Sequence, residues 1–162
     1  MENWNNEKVA AITLGINDSL IELTGVLVGL SFALNNHNLV ALAGLITGVA
    51  ASLSMAASAY MHARQEVNTD AAITGIYTGI SYLAVVALLI VPYFVFSNIH
   101  IALLAMMIIA LTIIALMCWY SARHRKSSFW KELGTMLIFS LGVATVSFLI
   151  GQGLRRIIKV EI

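Results

Sequence analysis

The sequence predicts an all-α integral membrane protein with five transmembrane helices, and three observations carry that prediction. The chain of 162 residues is 60% hydrophobic and 10% charged, with a mean hydropathy of +0.90. A soluble domain carries about 25% charged residues, so this composition does not cover a surface in water. The apolar residues fall into five runs, each close to the ~20 residues a helix needs to cross a hydrocarbon core. Lipid offers the backbone no hydrogen-bond partner, so runs buried there must be helical. One proline, Pro92, and no low-complexity linker leave residues 1–162 reading as a single transmembrane domain without a soluble appendage.

The first span, 9–34, starts after Lys8 and ends at the polar run Asn35-Asn36-His37-Asn38. The second, 39–61, ends where His62, Arg64, Glu66 and Asp70 begin to appear. The third, 71–96, contains Pro92 near its end, as a kink or a terminus, and is separated from the fourth, 99–120, by Ser97-Asn98. The fifth, 133–154, follows a basic connector. Trp4, Tyr60, Tyr93, Trp119, Tyr120 and Trp130 fall near span ends, where amphipathic rings favour the interface.

Lysine and arginine in short loops set orientation. The second loop carries Arg64, the fourth carries Arg123, Arg125, Lys126 and Lys131, and the first and third carry neither type. The N-terminus is therefore expected in the cytoplasm and the C-terminus outside. Arg155, Arg156 and Lys159 oppose this placement, and the alternative is a last span that does not cross fully. Met1-Glu2-Asn3-Trp4 is acidic rather than basic, unlike a secretory signal. The small, signal-free chain suits a prokaryotic inner membrane. A net charge of +1 argues against a nucleic-acid partner, and the lone Cys118 forms no intrachain disulfide.

Between Lys8 and Arg64 the only charged residues are Asp18 and Glu22, in the middle of the first span. A charge at that depth costs several kcal/mol and is normally retained for transport or proton chemistry. Their i, i+4 spacing places both on one helix face. That face continues as Ala11, Gly15, Gly25 and Gly29, small residues that admit another helix. The second span repeats the pattern with Gly44, Gly48, Ala51, Met55, Ser58 and His62. Carboxylate oxygen alone suits Mg2+ or Ca2+, whereas a thioether shifts preference toward transition metals. Two ionised acids a turn apart repel one another, so protons can replace a departing metal.

These residues resemble the vacuolar iron transporter family. The resemblance is carried by Gly15-Ile16-Asn17-Asp18 with the small-residue run to Gly29, by Gly44-Leu45-Ile46-Thr47-Gly48, and by Ser54-Met55-Ala56-Ala57-Ser58-Ala59-Tyr60. It implies a five-span, two-fold homodimer with the pore between subunits, exporting Fe2+ or Mn2+ from the cytosol in exchange for protons. It implies that Asp18 and Met55 line the pore, and no resident cofactor. Glu22 adds a ligand or a proton relay, and Asn17 orients Asp18 or completes its coordination shell. Members commonly carry a glutamate where this chain has Ala59, and well-studied members insert a Glu-rich metal-binding domain between spans two and three. Here that connection is only residues 62–70, so cytosolic capture falls to His62, Glu66 and Asp70 or to a partner.

Blander roles stand beside these. Met55 alone reads as a gap-filler, Ser54 and Ser58 as packing residues bonded to their own helix, and Gly75 and Gly79 as a close helix contact. His37, His100 and His124 are ordinary interfacial histidines, and the Arg123–Lys126 cluster touches anionic lipid. Two other functions fit the same acids: a proton-coupled carrier of organic cations, and a non-transporting scaffold whose acids pair with a partner's basic residue. No di-iron or intramembrane protease motif marks an enzyme.

Overall fold

The computed structural model describes residues 2–34, 36–66, 70–125 and 128–158. They form α1 (Glu2–Ala33), α2 (His37–Ala63), α3 (Ala71–Val95), α4 (Ile99–Arg125) and α5 (Phe129–Ile158). All five are long and apolar enough to cross a bilayer, so the chain is a multi-pass integral membrane protein. Each helix covers its predicted span to within a residue, but α1, α4 and α5 run on into polar sequence. A helix bonds its own backbone in water as in lipid, so hydropathy marks only the immersed part. Asn35, residues 67–69, Lys126 and Lys159 lie outside the described residues, as do the side chains of Trp4, His124, Arg125 and Arg156.

Three helix starts are capped by the side chain just before them. Asn36 Oδ1 accepts from the amides of Asn38 (2.9 Å) and Leu39 (3.3 Å) at α2. Asp70 Oδ1 accepts from those of Ala72 (3.1 Å) and Ile73 (3.2 Å) at α3. Asn98 Oδ1 does the same for His100 (2.9 Å) and Ile101 (3.4 Å) at α4. Such side chains satisfy amides that have no partner within the helix, which is why short polar connectors end one span and begin the next cleanly. Pro92 lies inside α3, which continues to Val95, and Phe96 N–H bonds the Pro92 carbonyl at 2.9 Å.

α1 packs against all four other helices. Its glycines make this possible, because a missing Cβ lets another backbone come close. A Cβ on Gly15 would strike the Thr78 carbonyl and Ser81 Oγ of α3. Gly25 and Gly29 lie against Val143 and Ser147 of α5, and Gly151 of α5 sits on the Gly29 carbonyl. Gly44 of α2 receives the Leu27 side chain of α1. Along these contacts α1, α3 and α5 run in one direction. α2 runs against α3, with Gly48 on Val86 and Gly75 on Ala56 and Tyr60. The first and last helices thus point the same way, as an odd number of crossings requires.

The buried core lies between α1, α3 and α4, with Leu20, Leu23 and Leu27 against Tyr82, Val86 and Met106. Tyr93 closes one end through a 2.8 Å hydrogen bond with Ser31. α2 and α5 carry much of the exposed apolar surface, Leu53, Ile46, Ile138 and Leu149 among it. In lipid that surface needs no protein cover.

The glycine contacts predict a contrast within one residue type. Gly15→Ala and Gly151→Ala force backbone apart and should destabilise by about 1–3 kcal/mol, as overpacking does. Gly142 faces open space, so Gly142→Ala should stay within about 0.5 kcal/mol of the parent. Thermal unfolding of the purified variants in lipid–detergent discs checks both.

Candidate functional site

The register of the glycine contacts brings the two sequence motifs to one depth. α3 touches Gly15 of α1 through Thr78 and Ser81, and the neighbouring Gly79 touches Ser52 and Ala56 of α2. Counted along the helices from these contacts, Asp18 and Met55 lie about a turn apart in depth. Asp18 is half-buried and Glu22, one turn on, is exposed on a side of α1 that the chain leaves open. Leu14, a turn before Asp18, is 45% exposed on the same side. Met55 is half-buried and packs against the core.

Glu22 has a partner that sequence inspection missed. The Tyr82 hydroxyl of α3 donates to Glu22 Oε2 at 2.8 Å, and Tyr82 is wholly buried, at 0% exposure. Asp18 is close enough to interact electrostatically with Glu22 and with Tyr82. The cluster is thus two carboxylates and a phenol, with the Met55 thioether within about a turn of it in depth. Carboxylate oxygens with a soft sulfur donor suit a divalent transition metal. A signal for Tyr82 existed: it sits mid-span, where an interfacial aromatic does not belong.

Asn17 points elsewhere. With Thr13 it lines a cavity of about 360 Å³ bounded by α1, α4 and α5, whose other walls include Cys118, Glu132 and Met136. Consecutive helical residues are about 100° apart, so Asn17 and Asp18 cannot share a face. At the far end of α2, His62 Nδ1 lies 3.6 Å from Glu66 Oε1, both side chains largely exposed. Asp70 is not gathered with them; its Oδ1 caps α3. Among the described residues, no three His, Cys, Asp or Glu side chains are grouped to hold a metal.

Glu7 was also missed, because the apolar run begins only at Val9. Its Oε1 accepts from the Asp70 amide at 2.7 Å and from Thr74 Oγ1 at 3.0 Å, tying the start of α1 to the start of α3. Cations crown the same end of the bundle: Lys8 lies over Tyr77, Arg64 over Tyr60 and Arg123 over Trp119, at 5.4–6.0 Å from the ring centres. This matches the aromatic–basic belt expected at a membrane face.

Residues 9–74, which hold Asp18, Glu22 and Met55, match the model of the VIT family. The match supports membership of the vacuolar iron transporter family. No curated protein matches the chain. VIT-family proteins are transporters rather than enzymes, and the match points to a metal-ion transporter embedded in the bilayer. The matched segment covers α1 from Val9 on, α2 and the first turn of α3, so it includes the Glu7-bonded Thr74 and stops short of Tyr82.

Glu7→Ala removes the acceptor shared by Asp70 and Thr74. Hydrogen exchange should quicken at the Asp70 amide, with a loss of about 0.5–1.5 kcal/mol in global stability, the usual worth of such bonds. Exchange measured by mass spectrometry on the peptide spanning residues 64–76 checks this.

Proposed function

We propose that two copies of this chain form a two-fold homodimer that exports Fe2+ or Mn2+ from the cytosol in exchange for protons. One observation carries the reading: Asp18 and Glu22 occupy the middle of a membrane-spanning helix on a side the single chain leaves open. Facing lipid there, ionised carboxylates would cost several kcal/mol each. A second copy across a two-fold axis covers them and doubles the donors, bringing two Asp18, two Glu22 and two Met55 side chains around one path.

Each donor then has a role that follows from its chemistry. Asp18 takes metal and proton in turn, because a buried carboxylate is relieved of its charge by either. Met55 adds soft ligation without adding charge, favouring Fe2+ or Mn2+ over Mg2+. Glu22 contributes an oxygen or passes protons along the same face. His62 and Glu66, at the end of α2, receive metal first in place of the inserted domain of longer relatives. The N-terminus lies in the cytoplasm of a prokaryotic inner membrane, with Arg64 and Arg123 on that side.

Proteoliposomes loaded with a metal-sensitive dye test this directly. An imposed pH gradient should drive Fe2+ or Mn2+ flux that collapses with a protonophore. Asp18→Ala should lower flux by more than the ~10–100-fold typical of losing a ligand's supporting hydrogen bond. Wild-type flux from that variant would sink the mechanism. Flux of an organic cation instead of metal, or co-purification of a basic partner without flux, would favour the carrier or scaffold roles.

A further inference from the structure

Tyr82 fixes how Glu22 can present itself to a metal. The phenol is wholly buried among the core residues of α1 and α3, so its hydroxyl has one position rather than a range of them. It donates to Glu22 Oε2 at 2.8 Å, and a phenol has a single hydrogen to donate. Oε1 takes no part in that bond, and the glutamate as a whole is exposed on the open side of α1. One oxygen is thereby held against α3 and the other is left for a ligand.

A carboxylate held in this way offers a cation one unengaged oxygen, while Oε2 has one lone pair taken by the phenol and is fixed against α3. That restriction separates metals. Ca2+ takes six to eight oxygens and commonly takes a glutamate through both, whereas smaller octahedral cations are satisfied by one oxygen per carboxylate. We infer that Tyr82 is a positioning residue that keeps Glu22 monodentate and so discriminates against Ca2+ at the Asp18–Glu22 site. The inference rests on the metal-binding role proposed above for that site.

Mn2+ binding to the full-length dimer in lipid nanodiscs, followed by loss of the free-ion electron paramagnetic resonance signal, gives a readout independent of flux. Ca2+ is then titrated as competitor. Tyr82→Phe keeps the ring and removes the donor, freeing Oε2. The Ca2+ concentration that displaces half the Mn2+ should fall by about tenfold, because the gain of a second oxygen outweighs for Ca2+ the loss of the supporting hydrogen bond that both metals share. In a Glu22→Gln background the same substitution should leave the Ca2+ to Mn2+ preference unchanged, because no second carboxylate oxygen remains to be freed. A purely structural role for Tyr82 would act equally in both backgrounds. If Tyr82→Phe fails to assemble, 4-methylphenylalanine at position 82 fills the hydroxyl volume without a donor and takes its place. Mn2+ binding with no Ca2+ shift, or an equal shift in both backgrounds, overturns the role of Tyr82 alone. A wild type that binds no Mn2+ overturns the metal site itself.

Discussion

A carboxylate at membrane depth has no water to solvate it, and the Tyr82–Glu22 hydrogen bond is where this chain answers that demand from within. The bond joins residues far apart in sequence, and its 2.8 Å length leaves no room for α1 and α3 to separate. It therefore depends on the contact below it, where Gly15 admits the Thr78 carbonyl and Ser81. It depends too on Thr78 Oγ1, which reaches back to the Ala11 carbonyl at 3.2 Å. A side chain added at Gly15 would move the phenol out of reach before it changed any acid. Packing and electrostatics are in this sense one feature of the structure.

The central position of α1 divides its surroundings. On one side stand Asp18, Glu22 and the open face; on another, Asn17 and Thr13 look into the cavity shared with α4 and α5. The helical turn of about 100° per residue makes this separation unavoidable for neighbours in sequence. The Gly15-Ile16-Asn17-Asp18 motif thus serves three environments at once, with Gly15 for helix contact, Asn17 for the cavity and Asp18 for the acid cluster.

The connections contribute more than their length suggests. Asp70 caps α3 with its side chain and gives its amide to Glu7, so the second loop is anchored to two helices through one residue. That anchoring occupies the acid nearest to His62 and Glu66 in sequence. Among the described residues, His62 and Glu66 meet at that end without Asp70 joining them in a group of three metal-ligating side chains.

The class, the number of spans and their immersed stretches were legible in the sequence, because hydropathy over a ~20-residue window reports directly on the free energy of leaving water. It also marked Asp18 and Glu22, since an isolated charge in an apolar run stands out regardless of its neighbours. Asn17 was legible as polar but not in its direction, and the reach of α1 back to Glu7 was hidden by polar residues that hydropathy does not mark. Partnership had to come from the packed helices: that Tyr82 holds Glu22, that Asn17 turns from Asp18 into the cavity, and that Asp70 caps α3. Those facts depend on which glycine meets which backbone, a matter of packing between distant segments that no local pattern encodes.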